Sequence, residues 1–349
     1  MSVFRCEQNP LIRPEDVTPS RPDFKVLGAF NTGVAKFGEE TILLLRIAEA
    51  PIPEREDEVL VPLLGPDGTI VVEHYDKSDS RYDFSDSRYV AAEGRVVMLT
   101  SISHLRVARS FDGVNFKIEP EPALFPEHDL EAWGIEDPRV TQIGETYYIT
   151  YSSASSRGVG ASLAETKDFR SFNKLGMILA PENKDVMLFP EPVNGKYIVM
   201  HRPVPNSFGR PEMWIAESPD LIHWGNHHFL MGLSEEGWDS ARMGGGAVPI
   251  KTEQGWLALY HGADSRHRYC MGAVLLDLND PGTVLARSSR PFLEPEANYE
   301  VDGFFGKVVF SCGALLEGDI IRMYYGAADE VTALADIPLQ DIMDTLHWE

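Results

Sequence analysis

The stretch GETYYITYSS, Gly144 to Ser153, opens on a glycine turn, runs through aromatic and β-branched residues at strand length, and ends in small polar residues. Aromatic and β-branched side chains in alternation are what a half-buried strand requires. The phrase recurs as GEETILLLRIA (Gly38 to Ala48), GRVVMLTSIS (Gly94 to Ser103) and GKYIVMHRP (Gly195 to Pro203). GWLALYHGA (Gly255 to Ala263) and GDIIRMYYGA (Gly318 to Ala327) complete the series. A second phrase follows most copies: Ser or Thr, any residue, Asp, then an aromatic four positions beyond the Asp. It reads Ser110-Phe-Asp112 with Phe116, Thr166-Lys-Asp168 with Phe172, and Ser218-Pro-Asp220 with Trp224. A degenerate version lies at Leu275 to Pro281 (LLDLNDP). The three Asp residues stand 56 and 52 positions apart (112 to 168, 168 to 220).

Two phrases in fixed order at that spacing mark one supersecondary unit used repeatedly. Strand-rich units without a helical pattern between them predict an all-β fold, a β-propeller forming a single domain over residues 1–349. The residues alone also admit a long β-sandwich, and six copies fit five or six blades. Pro338 to Trp348 (PLQDIMDTLHW) is expected to form a short C-terminal helix, with Leu339, Ile342, Met343 and Leu346 on one face. Inner strands of a propeller converge on an axial funnel. Functional side chains should therefore arrive one or two per repeat rather than in a compact motif.

Hydrophobic residues make up 43% of the 349 and charged residues 24%, a balance that supports a sizeable soluble core. The 31 basic against 54 acidic residues leave a net charge of −23, which repels nucleic acid and acidic membrane surfaces. The same field opposes a small anionic substrate unless a local basic cluster offsets it. No signal-peptide core and no long apolar run is present, so a cytoplasmic location is expected. Cys6, Cys270 and Cys312 are odd in number and far apart, and read as free thiols. The histidines include His227-His228 and the His261/His267 neighbourhood but no HExxH pattern, so neither a metal nor a cofactor is expected. Gly244-Gly245-Gly246 lacks the spacing of a dinucleotide loop, and no GxSxG elbow occurs.

Carboxylates are more informative. In Trp133-Gly-Ile-Glu-Asp-Pro-Arg139, Glu136 and Asp137 precede an expected strand at Val140 to Ile143. Pro138 disfavours the helical region for Asp137, which is expected to sit extended at the strand entrance. The pattern fits an acid of glycoside cleavage, or an Asp-Pro turn with Arg139 as its salt-bridge partner.

GIEDPRV (Gly134 to Val140) resembles the signature of the mannoside phosphorylases and mannosidases of glycoside hydrolase family 130. NPLIRPEDV (Asn9 to Val17), GAFNTGV (Gly28 to Val34), YDFSDSR (Tyr82 to Arg88) and TSISHLRVARS (Thr100 to Ser110) resemble its β-1,2-mannoside members. So do NKDVMLFPE (Asn183 to Glu191), HRP (His201 to Pro203), LYHGA (Leu259 to Ala263) and YYGAAD (Tyr324 to Asp329). The resemblance spans nearly the whole chain in order. It implies a five-bladed β-propeller, in which one phrase copy is an elaboration. It implies Asp137 as proton donor, acting through a sugar hydroxyl, while inorganic phosphate attacks the anomeric carbon from the other face. The product would be α-mannose 1-phosphate.

By the same resemblance Lys184, Arg202, Arg242 and His261 bind phosphate, each expected from a different repeat. Lys184 stands where some members carry Arg, and Arg242 where many carry Lys, which exchanges a planar fork for a point charge or the reverse. Asn31, Arg46, His104, Arg106 and Asp329 are candidates for contacts to the transferred mannose. The polar loop Asp264 to Tyr269 (DSRHRY) is a candidate frame for the acceptor. The expected partners are a β-mannoside oligosaccharide and inorganic phosphate as co-substrate, and a homo-oligomer is expected as in related enzymes. A hydrolase on the same fold would need a general base, for which Glu191 or Asp239 are candidates. A non-catalytic carbohydrate-binding propeller would be signalled by loss of Asp137, which is retained.

Overall fold

The phrase that opens the sequence argument becomes the second strand of an antiparallel sheet in five of its six copies. In this computed structural model, which describes residues 2–205 and 207–348, those strands are Glu40–Pro51, Thr146–Ser155, Tyr197–Pro203, Trp256–Ala263 and Ile320–Ala327. Each pairs on one side with an inner strand: Phe24–Phe37, Gly134–Ile143, Asn183–Leu188, Arg242–Gly245 and Val309–Glu317 in blades I to V. On the other side each pairs with a third strand and, beyond it, a fourth. The architecture is a five-bladed β-propeller. The sixth copy, Gly94 to Ser103, runs instead through a separate hairpin, Tyr89–Ala92 with Arg95–Leu99. A second hairpin, Glu58–Leu64 with Ile70–Asp76, precedes it, and both are inserted between the second and third strands of blade I.

The second phrase is the turn from third to fourth strand. Asp112 Oδ1 accepts the backbone N–H groups of Val114 and Asn115 at 2.9 and 2.8 Å. Asp168 does the same for Arg170 and Ser171, both at 2.8 Å, and Asp220 for Ile222 and His223 at 3.0 and 2.8 Å. Asp277 in the degenerate copy accepts from Asn279 and Asp280. A short carboxylate that satisfies two backbone donors fixes a tight turn without a partner strand.

Both chain ends add strands to blades, and the N-terminal one closes the ring. Phe4–Arg5 supplies the fourth strand of blade V, with Phe4 opposite Asp336. The expected C-terminal helix is confined to Leu339–Met343, and Leu346–Trp348 forms an outer strand of blade IV, with Trp348 opposite Ala286. Five residues are too few to hold a helix by propensity alone; the helix survives because Ile342 is buried. The residues after it satisfy their backbone on the blade edge. Apolar side chains interdigitate between blades, as Leu257, Leu259 and Met271 of blade IV do with Met323 and Tyr325 of blade V. Cys270 and Cys312 are buried free thiols, and Cys6 is half-buried. Among the described residues no helix is long and apolar enough to cross a membrane.

Candidate active site

A β-bulge interrupts the inner strands of blades I, II, III and V, between Phe30 and Gly33, Glu136 and Arg139, Lys184 and Met187, and Phe310 and Gly313. In three of them the bulged residue is Asn or Asp with positive φ: Asn31 at 47°, Asp137 at 53° and Asp185 at 58°. Asn and Asp tolerate the left-handed region better than other L-residues, and a bulge re-aims a side chain out of the pleat. Asp137 is therefore left-handed inside the strand Gly134–Ile143, not extended at its entrance. Pro138 fits there because the ladder is already broken at the bulge, and no N–H is needed.

These side chains line a cavity of about 590 Å³ at the axis. Asp137 Oδ1 accepts Asn31 Nδ2 and Arg46 Nη1, each at 2.9 Å, and Oδ2 has no hydrogen-bond partner among the described residues. Arg46 also donates to Glu136 Oε1 at 2.9 Å, and the other oxygen of Glu136 lies 3.6 Å from Lys184 Nζ. Arg139 does not pair with the Asp137 carboxylate. It donates to the Asp137 backbone oxygen at 2.8 Å and to Gly245 O at 2.7 Å, and reaches Asp185 Oδ1 at 3.4 Å.

Asp185 is the centre of the opposite wall. Its Oδ2 accepts Arg202 Nε and Nη2 at 2.9 and 2.7 Å and lies 3.7 Å from His261 Nε2. Gly244 permits this approach: a Cβ there would collide with Asp185 Oδ2 and the His261 ring. Arg242, the most exposed of the group, donates to the Tyr269 hydroxyl at 2.9 Å.

The charges set the protonation of the wall. Burial works to raise the Asp137 carboxyl, but Arg46, Arg139 and Lys184, with the Asn31 hydrogen bond, outweigh it and hold the group below the usual range. Asp185 is likewise opposed by burial and held well below the usual range by Arg202, His261, Arg139 and Lys184. Asp329 goes the other way: burial, with repulsion from Asp137 and Glu136, pushes it up to about 6 against the pull of Arg46 and Arg88. Burial pushes His261 down to about 3 despite Asp185, and Arg202, Arg139 and Arg242 add to the effect. His261 is therefore a neutral imidazole, and its buried Nδ1 has no hydrogen-bond partner among the described residues.

Of the residues singled out in the sequence, Asp137, Lys184, Arg202, Arg242, His261, Asn31, Arg46 and Asp329 all line this cavity. The four basic or imidazole groups do not come from four repeats. Lys184 and Arg202 are directly paired in blade III, and Arg242 and His261 stand on neighbouring strands of blade IV. His104 and Arg106 do not line the cavity. Arg46 pairs with Leu105, so strand alternation turns both neighbours of Leu105 to the far face of the sheet. There Arg106 donates to Thr18 O at 2.8 Å, and both side chains lie within 4 Å of Glu49 (3.9 and 3.8 Å). Glu191 is a surface partner of Lys251, and Asp239 is buried beneath Tyr260 and Arg287, at 2.9 and 2.5 Å. The loop Asp264 to Tyr269 does reach the cavity, through His267 and Tyr269. Sequence reasoning passed over Asp185, Glu136 as a bridge, and Arg88 from the insertion. The signal for Asp185 was its repeat position, equivalent to Asp137, and the glycine triplet that makes room for it.

Comparison with known proteins follows the same lines. Residues 90–348 match the sequence model of glycoside hydrolase family 130, described as beta-1,4-mannooligosaccharide phosphorylase. The chain belongs to glycoside hydrolase family 130. A beta-1,2-mannobiose phosphorylase from Listeria innocua is 48% identical over 100% of this chain and 99% of its own. A 1,2-beta-oligomannan phosphorylase from a Thermoanaerobacter species is 42% identical over 69% of this chain and 80% of its own. The solved complex of the Listeria innocua enzyme with β-1,2-mannobiose superposes with a TM-score of 0.97 over 99% of both chains. A family 130 structure described with hydrolases acting on β-1,2 linkages in Candida mannan is 22% identical, with a TM-score of 0.73 over 97% and 94% of the two chains, and shares the fold.

Proposed function

We propose that this family 130 protein is an inverting glycoside phosphorylase. It cleaves β-1,2-mannobiose or short β-1,2-oligomannosides with inorganic phosphate, releasing α-D-mannose 1-phosphate and an acceptor one unit shorter. The observation that carries the reading is the two-sided cavity. One wall presents the half-engaged Asp137 carboxylate, and the other gathers Lys184, Arg202 and Arg242 with the neutral His261. The likeness to the Listeria innocua enzyme over the full chain supports the substrate.

On this reading phosphate lies against Lys184, Arg202, Arg242 and His261, where fixed charged donors and one imidazole N–H meet its oxygens. One phosphate oxygen bonds to the anomeric carbon as the glycosidic C–O bond breaks on the opposite face. Asp137 supplies the proton to the departing oxygen, through a sugar hydroxyl, and inversion follows from the opposed faces. Asn31, Arg46 and Asp329 hold the transferred mannose. The protein's own cations keep Asp137 ionised, so the proton has to be acquired. A phosphate dianion beside Lys184 offsets the charge that depresses Asp137 and raises its proton affinity in the ternary complex. The two bases the sequence offered for hydrolysis, Glu191 and Asp239, are engaged away from the cavity, with Lys251 and Arg287. Phosphate is the co-substrate and no further cofactor enters the scheme. The free thiols suit a reducing cytoplasm, and we place the enzyme there as a homo-oligomer.

Product analysis on β-1,2-mannobiose with and without inorganic phosphate tests the reading. Mannose 1-phosphate should form only with phosphate. Free mannose as sole product at a phosphate-independent rate would overturn phosphorolysis.

A further inference from the structure

A second cavity, of about 380 Å³, adjoins the first, and Leu27, Tyr89 and Phe304 line both. One aliphatic and two aromatic side chains thus form the boundary, or neck, where the two spaces meet. Phe304 is 40% exposed at that neck, so part of its ring face is open to a ligand. Beyond the neck the wall carries a further ring, Phe84, and the polar groups of Lys25, Lys77 and Ser87. Aromatic faces interleaved with hydroxyl and ammonium groups suit a pyranose, whose C–H face stacks while its hydroxyls hydrogen-bond.

Position decides which part of a ligand would lie there. None of Lys184, Arg202, Arg242 or His261 lines this second space, so it does not extend the anion side. Tyr89 at the neck follows Arg88, which lines the main cavity near Asp329, so the groove continues the sugar side. At the axis Asp137 and Asp185 are only 6% and 3% exposed, a closed end, whereas Lys25, Lys77 and Ser87 are exposed. A chain whose terminal unit sits at the closed end can extend only outward. Much of the wall, including Glu58, Lys77, Phe84 and Ser87, belongs to the insertion in blade I and precedes residue 90, where the family match begins.

We propose that this groove binds mannosyl units of the leaving chain, beyond the residue next to the scissile bond, and so sets a preference for substrates longer than the disaccharide. The proposal rests on the phosphorolytic reading above. It is tested by measuring kcat/KM for β-1,2-mannobiose, -mannotriose and -mannotetraose at saturating inorganic phosphate, in the wild type, Phe84→Ala and Ser87→Trp. The expected result is a gain of about fivefold or more from the disaccharide to the trisaccharide, the equivalent of one modest added contact. Both variants, one emptying the groove and one filling it, should cancel that gain and leave the mannobiose value within about twofold. Mannose 1-phosphate should remain the sole phosphorylated product. Equal values for all three substrates in the wild type would overturn the proposal, as would a gain that persists in both variants. Release of a phosphorylated disaccharide would also overturn it, since the chain would then run the other way. Failure of the wild type to phosphorolyse even mannobiose would instead overturn the proposed function.

Discussion

Asp137 and Asp185 hold equivalent places in adjacent blades, both at the bulge of an inner strand, with φ of 53° and 58° and side chains closed off from bulk solvent. Both carboxylates are held below their usual range by surrounding cations. They differ in what remains unengaged. Asp137 is hydrogen-bonded through one oxygen, whereas Asp185 gives one oxygen to Arg202 twice and the other to Arg139. The same backbone device thus yields a group with capacity left for a reacting partner and a group spent on fixing its neighbours. Repeat architecture places a polar side chain at the axis; the surrounding blades decide its use.

The largest effect should come from Asp137→Asn. The amide keeps shape and hydrogen-bonding but cannot supply the proton, so kcat for phosphorolysis of β-1,2-mannobiose should fall by about 10²- to 10⁴-fold. Steady-state kinetics with the phosphate KM nearly unchanged would separate this from loss of binding. A variant that kept its rate would break the contrast with Asp185.

Asp185→Asn should invert the pattern. It leaves Arg202 and Arg139 buried with their shared counter-charge removed, a change that typically costs about 3 kcal/mol or more. Thermal unfolding should report that loss, and the phosphate KM should rise because Arg202 is no longer held. An Asp185→Asn protein as stable as the wild type, with unaltered phosphate KM, would show that Asp185 does not organise the wall.

The smallest effect sharpens the comparison through pH. Asp185 has a depressed pKa, so its contribution is present above the unfolded value of 3.8 and is lost as pH falls below it. Asp329 is raised to about 6 from 3.8, so it binds a proton more tightly in the fold, and its charging opposes folding as pH rises through that window. Asp329→Asn should therefore raise Tm at pH 8 by about 2 °C, with the gain fading as pH falls towards 4. The Asp185→Asn deficit should be full at pH 8 and shrink only in acid. Calorimetry of both variants between pH 4 and pH 8 checks the opposite signs.

The blade unit was legible because its two phrases are local physics. Alternation marks a strand, and an Asp that satisfies two following N–H groups marks a turn whatever the strand packs against. The sixth phrase copy, Gly94 to Ser103, shows the limit: a hairpin in an insertion obeys the same local rules as a blade, and only its partners tell them apart. At Leu339–Met343 the apolar spacing was read correctly as helical, but the helix stops where strand pairing to blade IV takes over. The motif-bearing residues Asp137, Lys184, Arg202 and His261 were each singled out in the sequence, and all four line the cavity. His104 and Arg106, in an equally recognisable motif, were not separable from Arg46 without knowing the register. Arg46 faces the cavity and they face away, because Arg46 lies opposite Leu105. A shift of one residue would exchange those faces.

By itself the sequence determined the repeat, the strands and turns within it, and most of the acidic and basic residues that line the axial cavity. The tertiary structure decided which charges share a wall, that Asp185 rather than solvent holds Arg202, and that the insertion in blade I opens a groove beside the axis. The physical reason is range. Strand alternation and turn hydrogen bonds act over two to four positions, whereas the site depends on blades far apart in the chain meeting at one axis, as Asn31 and Asp137 do across 106 positions.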